Sequence, residues 1–155
     1  MKLIFRGIVQ GVGFRPAVYR SAVKLGFNGY VQNNGSNVVV VIDGDETVFI
    51  NKLRSELPPL AKIDSIEMEE EDCQYDGFKI IDSSSGGKGA SIPNDTAICD
   101  NCKRDLFDPL NRRYLYPFTN CTDCGARFSI ISDLPYDRAN TSMNEYPADT
   151  LCSEE

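Results

Sequence analysis

The chain has 155 residues, 41% of them hydrophobic and 25% charged, which suits one globular domain or two small ones and not a disordered, collagenous or coiled-coil chain. Histidine is absent, which excludes Ser-His-Asp hydrolysis, histidine general bases and zinc sites of mixed cysteine and histidine ligands. The formal net charge of −7 argues against a general nucleic-acid binder, and no apolar run approaches the roughly 18 residues of a membrane span. The opening segment from Met1 to Arg6 is too short in its apolar part for a signal peptide, so a cytoplasmic protein with no membrane partner is expected.

Residues 2–9, with Leu3, Ile4, Phe5, Ile8 and Val9, read as a first strand. Phe14, Val18, Ala22 and Leu25 fall at helical spacing, Pro16 suits the first turn, and Gly26 ends the helix. Two strands, 28–33 and 37–43, flank the hairpin signal Asn34-Gly35-Ser36. A second helix is expected over about 45–57, with Phe49, Leu53 and Leu57 four residues apart and Pro58-Pro59 as its stop. A strand near 63–68 and a last one at 78–81 follow. The first six elements run β-α-β-β-α-β, the split βαβ pattern of α+β ferredoxin-like folds, expected as an antiparallel sheet with both helices on one face. The acidic run 67–72 reads as a solvated edge or turn, and Cys73 as an inert thiol.

Of six cysteines, only Cys73 lies within residues 1–82; Cys99, Cys102, Cys121, Cys124 and Cys152 lie beyond. Between the two regions runs Ser83-Ser84-Ser85-Gly86-Gly87-Lys88-Gly89-Ala90-Ser91, which has little side-chain surface to bury. The expected division is a first domain at 1–82, a flexible linker at 83–95 and a cysteine module at 96–155.

The stretch Gly7-Ile8-Val9-Gln10-Gly11-Val12-Gly13-Phe14-Arg15 joins the first strand to the first helix. Gly11 and Gly13 permit a backbone whose successive N–H groups face one concavity ahead of a helix N-terminus, and Arg15 adds a planar fork for phosphate oxygens. Gln10, Gly11, Val12, Gly13, Phe14 and Arg15 are therefore the candidate phosphate-binding residues. A Gly-x-Gly alone is often only a tight turn. A dinucleotide fingerprint fails because Pro16 stands where its third glycine belongs, and a P-loop fails because no Gly-Lys-Ser/Thr follows.

Gly7-x-Val9-Gln10-Gly11-Val12-Gly13-Phe14-Arg15 resembles the acylphosphatase signature, and Gly29-Tyr30-Val31-Gln32-Asn33 resembles that family's second motif, an aromatic-valine-polar-asparagine strand end. The resemblance implies two catalytic residues: Arg15 binding the phosphate and Asn33 orienting the attacking water. Taken alone, Asn33 reads better as a hairpin-edge asparagine. The chemistry is compatible with a chain lacking histidine. An acyl phosphate is a mixed anhydride with a good leaving group, and phosphoryl transfer rests mainly on positioning and charge stabilisation. The proton acceptor is not visible in the sequence; the substrate's own oxygens are one candidate.

Cys99-x-x-Cys102 and Cys121-x-x-Cys124, eighteen residues apart, have the spacing of a four-cysteine zinc site, with Gly125 suited to the tight turn after it. Zinc would order a stretch short of core residues. Two disulfides, a redox pair and an iron–sulfur cluster are the competing readings. Lys103, Arg104, Arg112 and Arg113 read as a solvated face or protein contact, with a nucleic-acid patch as the weaker alternative.

Cys99-Asp100-Asn101-Cys102, Asp108-Pro109-Leu110-Asn111-Arg112-Arg113-Tyr114, Tyr116-Pro117-Phe118-Thr119-Asn120-Cys121-Thr122, Cys124-Gly125 and Leu134-Pro135-Tyr136-Asp137-Arg138, behind an acylphosphatase-like domain, resemble the amino-terminal part of the HypF carbamoyltransferases of nickel–iron hydrogenase maturation. That family has two fingers in series. Here the first falls at about 96–128, and the second is cut short at Asp149-Thr150-Leu151-Cys152, so a fragment is expected, with no metal assigned to Cys152. The resemblance implies hydrolysis of carbamoyl phosphate as the first step. ATP is needed only by domains absent from this chain, and HypE, whose cysteine is carbamoylated, is the partner of the longer protein. The alternatives are a non-catalytic phosphate-binding, zinc-stabilised scaffold and, ranked last, a nucleic-acid contact.

Overall fold

The computed structural model describes residues 1–72, 75–84, 96–121, 123–133, 138–147 and 150. Its elements are β1 (Lys2–Ile8), α1 (Phe14–Leu25), β2 (Gly29–Asn34), β3 (Asn37–Ile42), α2 (Glu46–Ser55), β4 (Lys62–Glu69), β5 (Phe78–Ile80) and α3 (Asp100–Phe107), followed by short 3-10 turns at Phe128–Ile130 and Arg138–Asn140. Cys73, Cys152, Asp149, most of the expected linker and most of the Leu134–Arg138 motif lie outside the described residues.

Five strands form one sheet in the order β4-β1-β3-β2-β5. β1 pairs antiparallel with β3 and β4, and β2 with β3, which gives the expected α+β split βαβ core. β5 differs from the antiparallel expectation: it runs parallel to β2 on the far edge. After β4 the chain returns across the sheet to the opposite edge, and a strand added by such a crossover can run parallel to its neighbour.

Alternation along β1 sends Leu3 and Phe5 inward and Lys2, Ile4 and Arg6 outward. The inward residues join Val31, Val38, Val40, Ile42, Phe14, Val18, Phe49 and Leu53 in one buried cluster beneath both helices. On the other face, buried Val41 lies opposite Tyr30, whose ring packs on Tyr75 with centroids 5.0 Å apart. The acidic run is the charged outer edge: Glu67 and Glu69 on β4 pair with Arg6 (3.0 Å) and Lys2 (2.8 Å) across β1. Charges on an edge strand discourage pairing with another chain.

Gly26, left-handed at φ 71°, closes α1, and Phe27 N–H reaches back to the Ala22 carbonyl (3.0 Å). Asp45 caps α2 by accepting from Val48 N–H at 2.8 Å. α2 stops at Ser55, two residues short of the expected Leu57, which nevertheless packs against the core. Pro58 disfavours helical backbone at Leu57, and Glu56, the C-cap, turns its carboxylate to Lys24 and Lys52 (both 2.7 Å) and Ser21 Oγ (3.3 Å), tying α2 to α1.

The hydrogen bonds from Lys24 and Lys52 hold the Glu56 carboxyl down at about 2. A depressed carboxyl contributes stability that is complete above its unfolded value and is lost as pH falls through its folded value. Glu56→Gln is therefore expected to lower the thermal midpoint at pH 7. Its deficit against the natural chain should shrink below pH 4 and vanish near pH 2, read from paired melting curves.

Candidate active site and metal centre

β1 bulges between Arg6 and Gly7 and stays paired with β4 through Ile8. Gly7 has φ +131°, and a Cβ there would lie 2.2 Å from the Lys62 carbonyl oxygen, so no other residue fits without moving β4. The loop that follows is anchored from beneath by Val9 and Val12, both buried. Gly11 (φ 70°), between these anchors, and Gly13 (φ 72°), just after the second, are left-handed. Gly13 is the N-cap of α1, with no side chain accepting from the helix and no acidic residue in its first turn. The first N–H groups of a twelve-residue helix are thus left to an external acceptor, with the helix dipole favouring an anion.

Gln10 holds this loop against the β2–β3 turn. Its Nε2 donates to the carbonyls of Gly35 (2.8 Å) and Asn37 (2.9 Å), and its Oε1 is buried with no hydrogen-bond partner among the described residues. Asn33, at the end of β2 on the same hairpin, is buried beside Arg15, and hydrogen bonding assigns its amide oxygen to that side, where it accepts from Nη2 and Nε at 3.2 Å each. The reverse orientation would set the amide N–H groups against guanidinium donors. The loop and hairpin therefore bring Arg15 and Asn33 together across eighteen positions of sequence. Of the other candidate phosphate residues, Gln10, Val12 and Phe14 direct their side chains inward, so what the loop offers an anion is backbone N–H.

The Sγ atoms of Cys99, Cys102, Cys121 and Cys124 lie within 4.8 Å of one another, with Cys99–Cys121 at 3.5 Å and Cys102–Cys124 and Cys121–Cys124 at 3.7 Å. Zinc–sulfur bonds of about 2.3 Å in a tetrahedron give sulfur edges of about 3.8 Å, so this cage fits a tetrahedral ion. Disulfides, at about 2.05 Å between sulfurs, do not fit these separations.

Further groups orient the cage. Cys102 N–H (3.5 Å) and Asp123 N–H (3.4 Å) donate to Cys99 and Cys121 sulfurs, Thr96 Oγ1 donates to the Cys124 carbonyl (2.7 Å), and Arg127 Nη2 donates to Cys124 Sγ (3.0 Å) and the Thr119 carbonyl (3.1 Å). Burial pushes the Cys102 and Cys121 thiols up. Burial acts the same way on Cys124, but contacts from the Cys99 backbone and the Arg127 guanidinium overcome it and hold that thiol at about 6. Arg127, three positions after Cys124, has no spacing signal in the sequence that marks it as a partner of the cage. Lys103, Arg104 and Arg112 are exposed, and Arg104 donates to Asn101 Oδ1 (3.2 Å) within its own helix.

The knuckle also touches the loop. A Cβ on buried Gly125 (φ +71°) would lie 2.9 Å from the Gly11 carbonyl oxygen, 3.5 Å from Leu60 Cδ1 and 3.7 Å from Val12 Cγ1.

Residues 1–80 match the acylphosphatase family and residues 98–131 match the HypF finger. The chain belongs to the acylphosphatase family. An acylphosphatase of Caldivirga maquilingensis is 44% identical over 73 residues, covering 44% of this chain and 77% of that protein. Both modules together are matched by carbamoyltransferase HypF of Rhizobium leguminosarum bv. viciae, 46% identical over 145 residues and 92% of this chain. The chain spans only 19% of the length of that relative. A crystal structure of full-length HypF in its phosphate- and nucleotide-bound form is 45% identical and superposes on 99% of this chain, and 21% of its own, with a TM-score of 0.86. The acylphosphatase domain and finger thus recur together in the HypF carbamoyltransferases. No helix among the described residues is long and apolar enough to cross a membrane.

Gln10→Ala removes two part-buried hydrogen bonds, to the Gly35 and Asn37 carbonyls. The expected loss is about 1–3 kcal/mol of unfolding free energy, with amide shifts concentrated in the loop and hairpin turn.

Proposed function

We infer that the chain hydrolyses an acyl phosphate, carbamoyl phosphate first among candidates, at the loop between β1 and α1, and that zinc is the structural ion of the four cysteines. The observation that carries the reading is the Arg15 guanidinium seated 3.2 Å from the Asn33 amide oxygen beside a loop of left-handed glycines. Loop N–H groups and the first turn of α1 take the phosphoryl oxygens. A guanidinium has five N–H donors, so one edge can hold Asn33 while another meets the phosphate.

With its oxygen engaged by Arg15, Asn33 presents Nδ2 to a water oxygen in line with phosphorus. The water oxygen forms the new P–O bond as the bond from phosphorus to the acyl oxygen breaks. The carboxylate, here carbamate, leaves with the bonding pair, and the water's proton passes to a phosphoryl oxygen. No strong general acid is needed, because the leaving group is already a stable anion. Zinc would be held by Cys99, Cys102, Cys121 and Cys124 and would supply fold stability.

The HypF relatives support placing this step in carbamoyl transfer. Carbamate would go on to an ATP-dependent domain and then to the cysteine of HypE, functions of the longer protein. We take 1–82 as the hydrolytic domain, 83–95 as a linker and 96–155 as the finger module. Four reduced cysteines in a cage suit a reducing compartment such as the cytoplasm.

Phosphate release from carbamoyl phosphate tests the reading. Release above the spontaneous rate is expected, with Asn33→Ala and Arg15→Ala each losing about 100-fold or more, as positioning and charge-stabilising groups do. Rates for the unaltered chain and both variants equal to background would refute hydrolysis, and phosphate bound without turnover would leave the scaffold. Metal analysis should give close to one zinc per chain, lost in Cys102→Ser; retention of zinc in that variant would remove the four-cysteine assignment.

A further inference from the structure

Gly125 is the point at which the metal knuckle meets the phosphate loop. It is buried, its N–H donates to the Cys121 carbonyl (2.9 Å), and it directly follows Cys124, so the two cysteines of the second pair fix its position. On its outer side there is no room for a side chain: the Gly11 carbonyl oxygen would stand 2.9 Å from a Cβ. Val12 and Leu60 close the remaining space beside it.

The Gly11 carbonyl and the Val12 N–H belong to one trans peptide plane and point in opposite directions. The knuckle backs the carbonyl side of that plane, which directs the Val12 N–H away from the finger. Gly11 needs such support. At φ 70°, with another left-handed glycine at position 13, its backbone has alternative conformations open to it that a Cβ would forbid. A swing of this peptide would turn one donor out of the anion cradle. The finger, for its part, has few buried side chains to hold the knuckle in shape: Phe107, Leu110 and Leu115 are all exposed. What fixes Gly125 is the cage of four sulfurs.

We propose that Gly125 is a positioning residue of the phosphate loop, through which metal binding at the four cysteines and phosphate binding at Gly11, Val12 and Gly13 reinforce each other. The proposal rests on the reading of the loop as a phosphate cradle, and it makes the finger part of the binding site's support as well as a separate fold. Coupling between sites is reciprocal: the factor by which metal tightens phosphate is the factor by which phosphate tightens metal.

The test uses inorganic phosphate, so it is independent of turnover. The full chain, zinc-loaded and chelator-stripped, is titrated by calorimetry and by the backbone amide shifts of Gly11, Val12 and Gly13, with the sheet amides reporting that residues 1–80 remain folded. Stripping is expected to weaken phosphate about tenfold, within the ~5–150-fold range of coupled sites. Saturating phosphate should tighten zinc by the same factor, and Arg15→Ala should abolish that effect, which separates it from complexation of zinc by phosphate in solution. Zinc-loaded Gly125→Ala should bind phosphate more weakly while keeping its metal. If that variant fails to fold or loses zinc, the stripped natural chain still decides the matter. Equal phosphate affinity with and without zinc would overturn the proposal and leave the cradle intact. A zinc-loaded chain whose loop amides do not respond to phosphate would overturn the cradle itself, and the proposal with it.

Discussion

The two hydrogen bonds from the Gln10 amide to Gly35 and Asn37 hold together parts of the chain that the rest of the site needs adjacent. Gln10 sits in the middle of the glycine loop, and its acceptors sit at the tip of the β2–β3 hairpin. The loop carries Arg15 into the first turn of α1, and the hairpin carries Asn33 at the end of β2. With Val9 and Val12 buried on either side, the loop has two apolar anchors and one polar tether. Left-handed glycines then turn the backbone between fixed points, so its conformation follows from its supports instead of from rigidity of its own.

A second constraint is the cage of four sulfurs. The acylphosphatase domain has an apolar core of β-branched and aromatic residues from five strands and two helices. Among its described residues the finger has α3, two 3-10 turns and a handful of buried residues, including Cys102, Cys124, Ala126 and Ile130. A segment with so little core folds only if something replaces hydrophobic burial, and metal ligation does so by converting binding free energy into folding free energy. Hydrogen bonds from Arg127 and the backbone N–H groups of Cys102 and Asp123 aim the ligands and offset the cost of gathering sulfur atoms.

The two modules are therefore unlike in what stabilises them, yet they meet at the loop. Glycine recurs there for different reasons. Gly7 lets β1 bulge against β4, and Gly11 and Gly13 turn the loop. Gly125 lets the knuckle approach the Gly11 carbonyl. In each case a Cβ would meet backbone or force a strained φ, and backbone neighbours cannot give way as a flexible side chain can.

Much of this was legible in the residues alone. Strand alternation in β1, helical spacing in α1, the Asn-Gly-Ser turn and the paired Cys-x-x-Cys motifs are local signals, because their periodicities and spacings are set by backbone geometry over a few residues. The loop motif and the strand-end asparagine were likewise readable by resemblance. What needed the tertiary structure were relations between distant positions. The parallel β5, the Glu56 ion pair with Lys24 between α2 and α1, the Gln10 tether, the Arg127 contact with Cys124 and the seat of Gly125 on Gly11 all depend on partners that approach only when the chain is folded. By itself the sequence determined which elements of the first domain form, and which residues are chemically able to hold a phosphate or a metal. Which of those residues face one another, and what supports them, was decided by long-range packing, where a hydrogen bond or a close backbone approach has no signature in the spacing of residues along the chain.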